Sequence, residues 1–251
     1  VDAVIAVSTT LAQAVAKLSG LPVERIKVLG NLISPEHPGV GSGESPARRW
    51  VSVGALTPNK GHLGLVRGGS GKRARGILQP GNQVEARWQA RLAEHLGAYN
   101  CEMTEAFAAK VMRDALKLSG LSSACAVAEG ALAEREPHRP VFEGLLALMR
   151  ALEHDDWPSA YVKWEMGLLG EVGFALDLSA CASTGQNDQL AYVSPKSGRA
   201  VSLAAGEPYK TKLLALPEFL LRPGAGGSPE DVLTGLRLTG YFLEKNIFHT
   251  T

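Results

Sequence analysis

Four cations, Arg67, Lys72, Arg73 and Arg75, fall within nine residues of this chain, separated by Gly68, Gly69, Ser70 and Gly71. Lysine and arginine so placed can neutralise the phosphates of a nucleic-acid backbone, and glycine lets the main chain approach it closely. That work is electrostatic, and phosphate contacts read no bases. Counted on to Arg91, the segment holds six cations, with Arg87 and Arg91 added, against the single carboxylate of Glu85, although the whole chain carries a formal net charge of only +1. Positive charge is therefore concentrated, and a salt-sensitive, sequence-independent grip on a nucleic-acid backbone is the expected chemistry.

Covalent chemistry finds no matching set of residues. GGSGKR resembles a phosphate loop, but the Walker pattern needs glycine where Val66 stands and Ser or Thr where Arg73 stands. His37, His62, His95, His138, His154 and His249 are scattered, with neither H-E-x-x-H nor G-x-S-x-G among them. A binding protein, not an enzyme, is expected, with no cofactor.

Several elements would have to position the cations. Val4–Val7 reads as a buried strand running into the capping-box spacing Thr10-x-x-Gln13 and a helical stripe of Leu11, Val15 and Leu18 that stops at Gly20. A strand at Ile26–Leu29 follows, and then Ser34–Ala47, rich in Pro, Gly and Ser, reads as a linker. Strands are predicted over Trp50–Leu56, Leu63–Arg67, Val84–Leu92 and Gly97–Thr104. In the third, Val84, Ala86, Trp88, Ala90 and Leu92 share one face while Glu85, Arg87, Gln89 and Arg91 share the other. That parity assigns Trp88 to packing rather than to base stacking and turns Arg87 and Arg91 outward. Short antiparallel strands in this length suit a small barrel of the OB type.

From Glu105 to about Gly173 the period turns helical, with one stripe of Val141, Leu145, Leu148 and Leu152, and another of Tyr161, Trp164, Leu168 and Val172 that starts after Asp156 and Pro158. Cys181–Pro208 is a Gly/Ser-rich excursion with two short strands, and Ser228-Pro229-Glu230-Asp231 caps a last helix bearing Leu233, Leu236, Tyr241 and Phe242.

The totals, 251 residues with 45% hydrophobic and 20% charged side chains, suffice for a real core. No uninterrupted apolar run approaches the ~20 residues that span a bilayer. Three scattered cysteines, Cys101, Cys125 and Cys181, do not make a disulfide framework, which points to a reducing, cytoplasmic setting. Cys101 in a strand and Cys125 in a helix read as buried thiols.

From about Gly61 to Phe248 the chain resembles the RecO family of bacterial DNA repair and recombination proteins, in the form typical of alphaproteobacteria. The segments that carry the likeness are GLVRGG (Gly64–Gly69), LQPGNQVEARW (Leu78–Trp88), SSACA (Ser122–Ala126), EREPH (Glu134–His138), DWPSAYVKWE (Asp156–Glu165), YVSPKSGRAVS (Tyr192–Ser202) and LTGYFLEKNIF (Leu238–Phe248). The resemblance implies an amino-terminal OB-fold and a helical domain, binding of single- and double-stranded DNA, annealing of complementary strands, and work with RecR and single-strand-binding protein to load RecA, associated with the nucleoid. Residues 1–60 are similar instead to the start of the nucleotide-sugar-binding half of a two-domain retaining glycosyltransferase, through VDAVIAVSTTLAQAV, ERIKVLGNLI and WVSVGALTPNKGH. A glycosyltransferase fragment holding a nucleotide-sugar near Asn59, Lys60 and Gly61 is the alternative reading, but the further βα units such a site needs do not follow.

Many RecO proteins hold zinc with four cysteines in two C-x-x-C pairs. The matching positions here are Cys181, Thr184, Ser202 and Ala205. A structural zinc site needs four donors, and an alanine and two neutral hydroxyls do not replace thiolates. No zinc is expected, with hydrogen bonds and packing closing the excursion instead. The expected architecture is α+β: a βα fragment and linker over 1–49, a partial OB-like DNA-binding barrel over 50–104, and a helical domain over 105–251 with a degenerate zinc-finger-like excursion at 181–208.

Overall fold

A computed structural model of the chain describes residues 32–33, 48–52, 76–77, 79–89, 98–132 and 138–248, with the backbone alone for 32–33, 48–52, 86–89 and 98–100. The predicted strands at Val4–Val7, Ile26–Leu29 and Leu63–Arg67, the helix after Thr10 and the linker at 34–47 lie outside these residues. Backbone contacts divide the chain into two compact units, one spanning Ala6–Glu153 and the other taking in His154–Thr251.

In the first unit, β1 (Leu32–Ile33), β2 (Arg48–Ser52), β3 (Asn82–Gln89) and β4 (Ala98–Ala106) form an antiparallel meander in the order β1-β2-β3-β4. These strands make an open sheet. Leu32↔Ser52, Trp50↔Val84 and Ala86↔Cys101 fix the register, and a shift between Gln83 and Val84 marks a bulge opposite Thr104, whose hydroxyl donates to the Gln83 carbonyl at 3.1 Å.

The sheet enters β3 through a tight turn. Gln79-Pro80-Gly81-Asn82 closes with Asn82 N–H on the Gln79 carbonyl at 3.1 Å, Pro80 presets the first central residue, and Gly81 takes φ +87° at the second. This is a type II turn, whose second central position needs the left-handed region. Asn82, 2% exposed, holds the approach by donating from Nδ2 to the carbonyls of Gly76 and Ile77 at 3.0 and 3.3 Å.

Helices α1 (Phe107–Val111), α2 (Ala115–Ala131) and α3 (Arg139–Ala151) follow in the same unit. Asp114 caps α2 by accepting from the N–H groups of Leu116 and Lys117 at 3.0 and 3.1 Å. From Ser119 to Glu129 no α2 residue except Ser122 escapes burial, so this is a central helix apolar nearly all round. The α3 stripe is the one its sequence predicts: Val141, Leu145, Leu148 and Leu152 are all buried. Cys125 is buried and Cys101 half-buried, and burial pushes their thiols up to about 12 and about 11.

The second unit pairs α4 (Trp157–Glu171) with α6 (Pro229–Asn246). Pro158 sits in the first turn of α4, where its missing N–H costs nothing. Ser228 and Asp231 form a reciprocal capping box at the start of α6, with Asp231 N–H on Ser228 Oγ at 3.2 Å and Ser228 N–H on Asp231 Oδ2 at 3.0 Å. Ser228→Ala should lower stability by about 1 kcal/mol in chemical denaturation, and an unchanged midpoint would contradict that role. The buried face of α6 is Val232, Gly235, Leu238, Thr239, Phe242 and Leu243, so the predicted stripe of Leu233, Leu236 and Tyr241 is displaced by a residue and only Phe242 is common to both. The cause is Gly235: a Cβ there would lie 2.8 Å from Val162 Cγ1, so the helices meet at a glycine that a search for large apolar residues passes over.

Between the helices the excursion folds as β5 (Leu190–Val193), β6 (Ala200–Ser202), the single turn α5 (Leu203–Gly206), a 3₁₀-helix at Glu207–Lys212, and β7 (Leu214–Ala215), in a sheet of order β6-β5-β7. The sequence shows β5 and β6, whereas the two-residue β7 is too short for any alternation to reveal.

Candidate nucleic-acid interface

The cationic positions Arg67, Lys72, Arg73, Arg75 and Arg91 lie outside the described residues, in the segments that join β2 to β3 and β3 to β4. Arg87 is within β3, paired in register with Asn100, and Trp88 pairs with Tyr99. The register also exposes two cationic positions that the sequence reading passed over. Arg48 and Arg49 open β2 and pair with Ala86 and Glu85, which sets them on the strand beside Arg87. Their adjacency in sequence was a visible signal, but only strand pairing sets them beside the strand that bears Arg87.

At the degenerate metal positions, Cys181 is fully buried and linked to Ser202 twice: its thiol lies 3.5 Å from Ser202 Oγ, and its sulfur accepts from Ser202 N–H at 3.2 Å. Cys181 N–H also donates to the Gln186 carbonyl at 2.6 Å, and Gly185 N–H to the Cys181 carbonyl at 2.8 Å, with Gly185 at φ +73°. Hydrogen bonds from Thr184, then from Ser202, favour the thiolate and pull the Cys181 thiol down to about 6, against an opposing push from burial. Ala205 is half-buried in α5 and offers no donor. Cys181 and Ser202 are thus joined directly through the sulfur, and backbone hydrogen bonds tie Cys181 to Gln186 and Gly185. Among the described residues no three His, Cys, Asp or Glu side chains gather as a metal site requires. Treating the folded chain with a strong chelator should leave Tm unchanged, and a fall of several degrees would show a metal contributing to stability.

Residues 112–251 match the family model for the recombination protein O C terminal. The match covers more than half of the chain. The chain belongs to the RecO family. Among its relatives, the DNA repair protein RecO of Rhodospirillum centenum is 56% identical over 189 residues, 74% of this chain and 75% of the relative. The RecO of Phenylobacterium zucineum is 53% identical over 184 residues, covering 73% of this chain and 76% of the relative, and that of Rhodospirillum rubrum 47% over 205 residues, 78% and 81%. The RecO resemblance read from the sequence is therefore correct. Structure and family agree on a mixed helix-and-sheet protein with a RecO C-terminal domain. No helix among the described residues is long and apolar enough to cross a membrane.

Proposed function

We propose that this chain is a DNA repair and recombination mediator of the RecF pathway, binding single- and double-stranded DNA, annealing complementary strands and helping to load RecA with RecR and single-strand-binding protein. The observation that carries this reading is the 56% identity to a DNA repair protein RecO over three quarters of both chains. In this reading β3, with most of β2 and β4, belongs to an OB-like DNA-binding domain over residues 50–104, with the helical domain following over 105–251 and the βα fragment preceding it over 1–49. Arg67, Lys72, Arg73, Arg75, Arg87 and Arg91 contact phosphates, with Arg48 and Arg49 on the neighbouring strand. The protein acts in the cytoplasm, associated with the nucleoid.

Mechanistically, two strands repel each other through their phosphates, and a cationic surface that neutralises both lowers the barrier to pairing. No bond is made or broken in the process, so the chain acts as a binding protein and needs no cofactor. The test is an annealing assay with complementary labelled oligonucleotides at increasing salt. Acceleration that fades as salt rises is expected; failure to accelerate pairing at low salt, or turnover of a nucleotide-sugar by the purified chain, would overturn the reading.

A further inference from the structure

We infer that Glu102 on β4 is a specificity determinant of the DNA-binding sheet, a carboxylate set where a second phosphate backbone would lie, so that a duplex is held less tightly than a single strand. The inference rests on the reading that this sheet binds DNA, and adds what limits the grip.

Residues directly opposite one another in an antiparallel pair share a face of the sheet. Arg49↔Glu85 and Glu85↔Glu102 therefore form one row across β2, β3 and β4. The pair Arg87↔Asn100, two residues along, lies on the same face. The opposite face holds Trp50↔Val84, Val84↔Met103 and Ala86↔Cys101, and Val84, 1% exposed, marks it as the packed one. The outer face thus grades from a cation position on β2, through Glu85 and Arg87 on β3, to Glu102 on β4, past which Glu105 is paired with Lys110 at 2.5 Å.

Glu102 is exposed and has no hydrogen bond or ion pair among the described residues. Its place does not serve the fold either. Like charges directly opposite on a sheet destabilise it, and Glu102 stands opposite Glu85. Stability alone would remove such a pair, and a local rule broken without structural gain points to function.

Spacing decides which ligand meets the carboxylate. Neighbouring strands lie about 4.8 Å apart, which sets β4 about 10 Å from β2. The two backbones of a B-form duplex flank a major groove about 12 Å wide. A duplex lying along the strands with one backbone on the β2 side therefore brings the other to β4, against Glu102. A single strand has one backbone and keeps to the cationic side. The product of annealing is a duplex, so Glu102 loosens the product and leaves the substrate strands held.

The test measures affinity of the full chain at low salt for a labelled oligothymidylate and for a duplex of equal length. Glu102→Gln, which keeps the shape and removes the charge, should raise duplex affinity about threefold, the effect of one unit charge about 7 Å from a phosphate in water, with oligothymidylate affinity unchanged. Glu102→Lys should raise duplex affinity further and steepen its salt dependence by about 0.9 in logarithmic slope, the value for one added phosphate contact. Glu230→Gln, in the first turn of α6, removes the same charge from the other unit and should alter neither affinity. Unchanged duplex affinity in both Glu102 variants would overturn the inference while DNA binding stands, as would an equal rise for the two ligands or the same rise in Glu230→Gln. A wild-type chain that binds neither oligonucleotide would sink the DNA-binding reading itself, and the inference with it.

Discussion

Gly81→Ala should cost the first unit roughly 3 kcal/mol. Two separate penalties meet at this residue. Its φ of +87° lies in the left-handed region, where a residue with a side chain pays of order 1–3 kcal/mol. An added Cβ would also lie 2.6 to 2.9 Å from Cδ2, Cγ and Cδ1 of Leu121, a side chain 1% exposed in the middle of α2 and unable to retreat. Gly173 separates the two effects, since it has φ +88° with no atom within 4 Å of its would-be Cβ. Gly173→Ala should therefore show the backbone cost alone. Chemical denaturation of both variants checks the argument, and a Gly81→Ala no worse than Gly173→Ala would show that the turn does not press on α2. In the double variant Gly81→Ala with Leu121→Ala the clash is removed, so its loss should be smaller than the sum of the two single losses.

Stability should also fall as pH rises through neutrality because of one buried carboxyl. Glu165 on α4 is 6% exposed, and burial pushes its carboxyl up to about 7, against a smaller opposing pull from the Thr239 hydroxyl on α6. Thr239 has one proton to donate and also lies 3.1 Å from the Gly235 carbonyl, which can only accept. The arrangement that satisfies all three groups has Thr239 donating to Gly235 and a protonated Glu165 donating to Thr239 Oγ1. The folded state thus holds its proton more tightly than the unfolded chain, in which a glutamate titrates near 4.3. The stabilisation is complete below that value and is lost as pH climbs from about 4.5 through 7, amounting to about 3 kcal/mol at pH 8. Glu165→Gln keeps the shape and a donor without the charge. It should flatten the stability profile between pH 5 and 8 and exceed the wild type at pH 8. A parallel displacement of the two profiles would contradict a buried, titrating Glu165.

The sequence is most legible where burial is strongly periodic. The α3 stripe and the Ser228–Asp231 cap could be read at once, because apolar spacing and a capping pattern are local signals. The α6 face was misplaced because close helix approach there depends on Gly235 and on the buried polar Thr239, neither of which an apolar count weights. The two-residue β7 has too little length to show a pattern, and the neighbourhood of Arg48 and Arg49 with Arg87 exists only through strand register. At Cys181 the sequence shows a lone cysteine, while the hydrogen bonds around it depend in part on backbone N–H groups that no side-chain pattern encodes. The turn at Gln79-Pro80-Gly81-Asn82 was passed over although its Pro-Gly pair is a turn signal, and the pressure of Leu121 on it has no sequence signal at all.

The central claim is that cations between β2 and β3 grip phosphates without reading bases, and the salt dependence of single-strand affinity tests it most directly. With Lys72→Glu and Arg73→Glu together, affinity at low salt should fall by at least tenfold, and the slope of log affinity against log salt should shrink by about 1.4, the value for two lost phosphate contacts on a single strand. An affinity and a slope both equal to those of the wild type would contradict the account.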